Sequence, residues 1–182
     1  MSFRRFLTTL GVSGLMLVPA TAARAAEEPA LDAEFLKAAH QINLAEIAAG
    51  RIAFQKSTDT TVKNVAATFM RDHIRLDANL YLTARDLGVQ LPAAPTEEQT
   101  AVAERYRAAG ADTFDEYYIQ TQLSGHREAV KLTETQIAEG SNAAVRKLAE
   151  SAAPIIATHG DLLRAAAAEE GLVGYEEGGA RN

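Results

Sequence analysis

The sequence predicts an all-α protein, an up-down four-helix bundle with a short extra helix between its second and third long helices. Three observations predict it. Four long stretches carry an apolar stripe at helical spacing, and no run alternates with period two for long enough to suggest a sheet. Gly and Pro sit mainly at the chain ends or between those stretches. The links between the first and second stretches, and between the third and fourth, are short, which forces antiparallel neighbours.

Residues 1–25 stand apart from the fold. They comprise two arginines, an apolar run from Phe6 to Val18, and Ala23-Arg24-Ala25, the three parts of a cleaved signal peptide with the cut after Ala25. The apolar run is shorter than the roughly 20 residues of a spanning helix, so removal is expected rather than anchoring. Arg4-Arg5 leaves both twin-arginine export and ordinary secretion open. A single domain over 26–182 remains, with a core over 32–170 and a fraying Gly- and Glu-rich tail over 171–182. Export places it in the periplasm, with no membrane span in the mature chain.

Loss of Arg4, Arg5 and Arg24 moves the formal charge from −6 to −9. So acidic a domain offers no footprint for nucleic acid or an anionic membrane. The chain has no Cys and no Trp, which excludes disulfides, thiolate metal sites and Cys nucleophiles. About 155 residues suffice for a core that stands without disulfides.

The first long helix is expected to start at an Asp32 N-cap, with Leu31 and Leu36 at staple spacing, and to run to about Lys56. Asp59 caps the second, which ends near Leu87 with Gly88 as a left-handed stop and Pro92 and Pro95 beyond. Thr96 and Gln99 have capping-box spacing for a short helix over about 97–109, ended by Gly110. Asp112 caps the third long helix, which runs to about Glu139. Gly140 stops it, and Ser141 caps a fourth helix that reaches about Glu170.

Each long helix interrupts its stripe with one ionisable residue. The first reads Phe35, Ala39, Ile42, Glu46, Ala49, Ala53. The second reads Val62, Ala66, Phe69, His73, Leu76, Leu80, Leu87. His126 stands among Ile119, Leu123, Val130 and Ile137. His159 stands among Val145, Leu148, Ala152, Ile155, Leu162 and Ala166. Depths agree as well: Glu46 is 13 residues from Asp59, His73 is 14 from it, and His126 is 14 from Asp112. His159, 19 past Gly140, counts as one turn deeper, and Pro154 five residues earlier is able to shift its level. His40 points about 160° from the core direction of its helix, beside Leu36, Ile47 and Phe54, and is left out of the site.

A buried Glu46 without compensation would cost several kcal/mol, and neutral imidazoles compensate it poorly unless protonated or metal-bound. Carboxylate and imidazole together are ligands for Zn, Fe, Cu, Mn or Ni, and bundle cores house such sites. The expected metal ligands are therefore Glu46, His73, His126 and His159, with Asp77 and Gln122 behind them to orient the rings of His73 and His126. The alternative is a hydrogen-bonded His/Glu network that fixes helix register. Glu-x-x-His is absent: Met70, Leu123 and Ile156 precede the three histidines by three. One ion is thus expected, and di-iron oxygen chemistry is disfavoured. No P-loop, GxSxG or HExxH occurs, and no catalytic residue is assigned.

The runs FMRDH (69–73), GVQLP (88–92) and FDEYYIQTQLSGH (114–126), the Pro154 and His159 pair, and Glu46 resemble domain-of-unknown-function family 4142 over about residues 32–170. The resemblance implies a ferritin-like fold and a place in the bacterial cell envelope, and supplies no reaction. An outer-membrane label carried by some members fits this chain badly, for it has neither barrel strands nor a lipid-attachment cysteine. Two functions follow. One is metal storage, buffering, sensing or a minor redox role at the Glu46–histidine site. The other is a non-catalytic envelope module that meets a second copy or another envelope protein through an outer patch of Leu36, Ile47 and Phe54.

Overall fold

The structure is a computed structural model, and it describes residues 29–172. The expected signal segment, and most of the expected tail, lie outside the described residues. Five helices and no strand occur among the described residues: α1 (Pro29–Lys56), α2 (Thr60–Asp86), α3 (Glu97–Ala108), α4 (Ala111–Glu139) and α5 (Ala143–Glu169). They form an all-helical bundle in which α1 packs most extensively on α2 and α4 on α5, with further contacts of α2 to α5 and α1 to α4. None of these helices is long and apolar enough to cross a membrane.

Local chemistry sets most of the ends. Asp59 caps α2 by accepting from the Val62 amide at 2.8 Å. Gly88, at φ 70°, closes that helix in the left-handed region, where a side chain would be strained. The Thr96–Gln99 capping box opens α3, with each side chain bonded to the other residue's amide at 3.1 and 2.8 Å. The Lys56 ammonium binds the Arg107 and Ala109 carbonyls at 2.7 and 2.8 Å and so ties the end of α3 to the end of α1.

Three expected caps differ. Helix α1 begins at Pro29, and Asp32 lies in its first turn. Its carboxylate instead crosses to the α4–α5 turn, where it accepts from Ser141 Oγ at 2.6 Å, the Asn142 amide at 2.9 Å and Gln136 Nε2 at 2.5 Å. Burial would raise this carboxyl, but these bonds outweigh it and hold Asp32 below the usual carboxylate range. Asn142, rather than Ser141, caps α5. Gly110 precedes α4 with no side-chain cap, while Asp112 sits in its first turn.

Gly50 faces α2 so closely that a Cβ there would lie 2.8 Å from the Ala66 carbonyl oxygen. This close approach lets α1 and α2 share a wide buried arc. Two readings of α1 are corrected: Leu36 is fully buried, and His40 is buried with it at 8% exposure, so no outer patch forms around Leu36. Phe54 alone of that trio is strongly exposed, and Leu87 at the end of α2 faces solvent rather than core.

The apolar core is divided. One cluster, around Ala53, Phe69, Tyr106, Tyr118 and Leu163, fills the end near the α1–α2 turn. A second, around Phe35, Leu36, Leu80, Val145 and Ala149, fills the other. Between the two, each long helix places buried polar residues: Asn43 and Glu46 on α1, His73 on α2, Gln122 and His126 on α4, His159 on α5.

Candidate metal centre

Three of the four expected ligands meet. His73, His126 and His159 each present a ring nitrogen so that the three atoms lie within 4.8 Å of one another, and all three residues are buried. The His126–His159 and His73–His159 ring centres are both 5.3 Å apart, and His73–His126 are 6.1 Å apart. Phe69, one turn before His73, stacks on His159 at 4.2 Å and leans on His126 at 4.8 Å, walling the rings on the side of the first apolar cluster. The turn of extra depth counted for His159 from Gly140 does not keep it from the other two rings.

The outward nitrogen of each ring is held by an acceptor. His126 Nδ1 donates to the Gln122 carbonyl at 3.0 Å, an acceptor by chemistry, so that nitrogen carries the proton. His159 Nε2 donates to Asp72 Oδ2 at 3.3 Å. Burial would raise Asp72, yet bonds from Arg71 and His159 hold it below its ordinary value, so it is ionised and accepts. His73 Nδ1 meets Asn43 Oδ1 at 2.8 Å. The amide is oriented in turn, because Asn43 Nδ2 donates to Asp77 Oδ1 at 3.4 Å.

With the outer nitrogens protonated, the inner ones are bare lone pairs: His73 Nε2, His126 Nε2 and His159 Nδ1. His73 Nε2 is buried without a hydrogen-bond partner among the described residues. His126 Nε2 and His159 Nδ1 face each other at 3.2 Å, and in the tautomers that the outer acceptors favour both are lone pairs. Two nitrogens on one ion, at about 2.0–2.1 Å each, stand roughly 3.3–3.6 Å apart. The pair is thus near ligand spacing already. Protonation is not a ready alternative. Burial, with the neighbouring rings adding to it, lowers His126 to about 4 and His73 well below its ordinary value. Burial also lowers His159, against the pull of Asp72.

Glu46 is not in the three-nitrogen group. Burial pushes its carboxyl up to about 7, against one supporting hydrogen bond from Gln122. Gln122 therefore serves both groups: its backbone carbonyl fixes His126, and its side chain reaches Glu46 and the Tyr106 hydroxyl, the latter at 3.4 Å. The expectation that its side chain orients His126 is corrected to its main chain. Burial pushes Tyr106 up to about 12 and Tyr118 well above its ordinary value, with the Glu46 charge adding to both.

Asp77 also takes a different place. Its carboxylate binds His40 Nδ1 at 2.7 Å and reaches His73 through Asn43. The connected chain is His40–Asp77–Asn43–His73. Asn43 and Asp72 were missed in the sequence, and His40 was set aside. The spacing of His40, Asn43 and Glu46, three residues apart each time on one helix face, was the available sign. Asp72, a neighbour of His73 some 100° around the helix, carries no periodic signal.

Fold and site together define an all-helical bundle protein with a buried tri-histidine cluster able to hold a metal ion. The chain belongs to the DUF4142 family, a domain of unknown function whose model matches residues 18–166. Among solved structures it is similar to CopM in the Cu(I)-bound form, with a TM-score of 0.64 at 16% identity, covering 79% of this chain and 98% of that one. Likeness at that identity speaks for the fold. No match is found among curated proteins.

Proposed function

We propose that this protein is a periplasmic copper-binding protein with a ferritin-like, up-down four-helix fold, which holds one Cu(I) on His73 Nε2, His126 Nε2 and His159 Nδ1 for buffering or transfer. The observation that carries the reading is the 3.2 Å approach of two imidazole nitrogens whose protons are both committed elsewhere. Imidazole donors suit Zn, Cu, Fe and Ni alike. Charge favours the monovalent ion: Asp72, the one carboxylate bonded directly to a ring of the cluster, also pairs with Arg71, and a divalent ion in this interior would be left undercompensated. Copper in the structural neighbour supports the same choice. Glu46 stands by as a second carboxyl, raised to about 7 and so partly ionised near neutral pH, linked through Gln122.

The arrangement supplies binding rather than turnover. The second-layer acceptors keep the rings in the ligand tautomer, and the apolar clusters on either side exclude water. The signal-like segment at 1–25 supports export, and N-terminal sequencing of periplasmic material should begin at Ala26.

The test is quantitative copper analysis of protein purified without a His tag, titrated with Cu(I) under reductant against a chromogenic chelator. One equivalent should be retained, and His126→Ala or His159→Ala should lower affinity by 100-fold or more. Failure to retain a stoichiometric ion, together with a melting temperature that chelator leaves unchanged, ends the metal reading and leaves the buried network as a register device.

A further inference from the structure

A cavity of about 290 Å³ lies in the second apolar half of the bundle. Its walls come from all four long helices, through Phe35, Ile42, Leu76, Leu80, Leu132 and Leu148. Its inner end is His73 and Asn43, both buried, while Asn79, Lys147 and Ser151 of its lining are exposed. The mouth therefore opens between α2 and α5. None of the lining residues is acidic, and Lys147 is the one that carries a charge near neutral pH.

This lining selects its occupant. Among the polar lining residues, apolar wall separates Asn43, His73 and Thr133 within from Asn79, Lys147 and Ser151 at the mouth, and a buried head group of either charge would go unpaired there. A cation at the mouth meets Lys147 as a like charge; an anion finds it as a partner. A methylene takes up about as much room as a water molecule, so the space holds roughly ten carbons. We propose that the cavity binds the alkyl chain of a single-tailed carboxylate of medium length, its methyl end toward His73 and its carboxylate at the Lys147 ammonium. The site is independent of any metal, since His73 forms its floor whether or not the ring holds an ion.

The purified, metal-free chain is titrated by calorimetry with saturated carboxylates of increasing length. Affinity should rise about fourfold per methylene and level off near ten carbons, where the chain reaches the inner end. Ala152→Phe, which places a ring in the lining, should abolish saturable binding. Lys147→Ala should weaken the carboxylate by up to about fivefold and leave the alcohol of equal length unchanged. Affinity that does not depend on chain length in the unmodified protein overturns the proposal, whatever becomes of the variants. Equal loss for carboxylate and alcohol on removing Lys147 overturns the assigned orientation. Co-sedimentation with phosphatidylglycerol vesicles, in place of saturable binding of the free acid, identifies a membrane acyl chain as the occupant and likewise overturns it.

Discussion

His126 and His159 face each other with Nε2 and Nδ1 3.2 Å apart, from two helices joined by a three-residue turn. Each proton is drawn to the far side of its ring, by the Gln122 carbonyl in one case and the Asp72 carboxylate in the other. That geometry makes the second layer as testable as the first.

Asp72→Asn replaces a compulsory acceptor by a group that can also donate. His159 is then free to carry its proton on Nδ1, pointing into the centre. Cu(I) affinity should fall by about 10- to 100-fold with the fold intact, measured by chelator competition alongside far-UV circular dichroism. Asn43→Ala should act similarly through His73. Affinity equal to the parent in both variants would mean that these partners do not set the rings.

Stability of the metal-free protein should fall as pH drops from 7 to 5. His126 is lowered to about 4 from an ordinary value of 6.5, and His73 and His159 are also lowered. Below 6.5 the unfolded chain takes up protons that the folded chain refuses, so acid favours unfolding down to about pH 4. Glu46, raised to about 7 from 4.5, has the opposite sign: the folded carboxyl keeps its proton where the unfolded one loses it. Three groups against one leave a net loss. Glu46→Gln stays neutral at every pH, so its stability curve should steepen by on the order of 2 kcal/mol between pH 7 and 5. Urea melts across that range check both signs, and curves that run parallel would remove the role assigned to Glu46.

Asp32→Ala should destabilise the protein by about 2–4 kcal/mol, far more than a lost exposed cap. It strands the buried Gln136 Nε2 and removes the acceptor that Ser141 Oγ and the Asn142 amide share at the foot of α5. Because Asp32 is held below its ordinary value, its contribution is present at neutral pH and is lost as pH falls through the acid range. A shift under 1 kcal/mol in a denaturant melt would show the tie to be incidental.

Gly50→Ala reverses a familiar sign. In an open helix the added methyl gains up to about 1 kcal/mol. Here it would stand 2.8 Å from the Ala66 oxygen and 3.2 Å from Met70 Cβ, so α1 and α2 must part. A net loss of about 1–3 kcal/mol is expected in thermal or urea unfolding. A stabilised variant would mean that the two helices separate freely there.

Much of this was legible in the sequence because it rests on local chemistry. The Asp59 cap, the Thr96–Gln99 box and the Gly88 stop depend on residues within a turn of each other, and each formed as spelled. The three core histidines were visible because each breaks an apolar period. Asp32 reads as a local cap and acts instead on a turn more than a hundred residues away, which no window along the chain contains. His40 was misplaced because a single core direction was assumed for α1, whereas its face toward Asp77 of α2 is buried as well. Depth counting placed the histidines to within a turn and could not place Glu46 relative to them, because that depends on rotation about the helix axis as well as height.

The orientation of the three imidazoles has a thermodynamic corollary. Nitrogens already bare near neutrality release no hydrogen ion when they accept a metal. Any acid liberated on loading must then come from another group, and Glu46, with its carboxyl near the midpoint of titration at about 7, is the one poised to give it. Loading heats compared across buffers of different ionisation enthalpy would count those ions, and a fractional count that vanishes in Glu46→Gln would reveal how strongly the carboxyl feels a charge it need not touch.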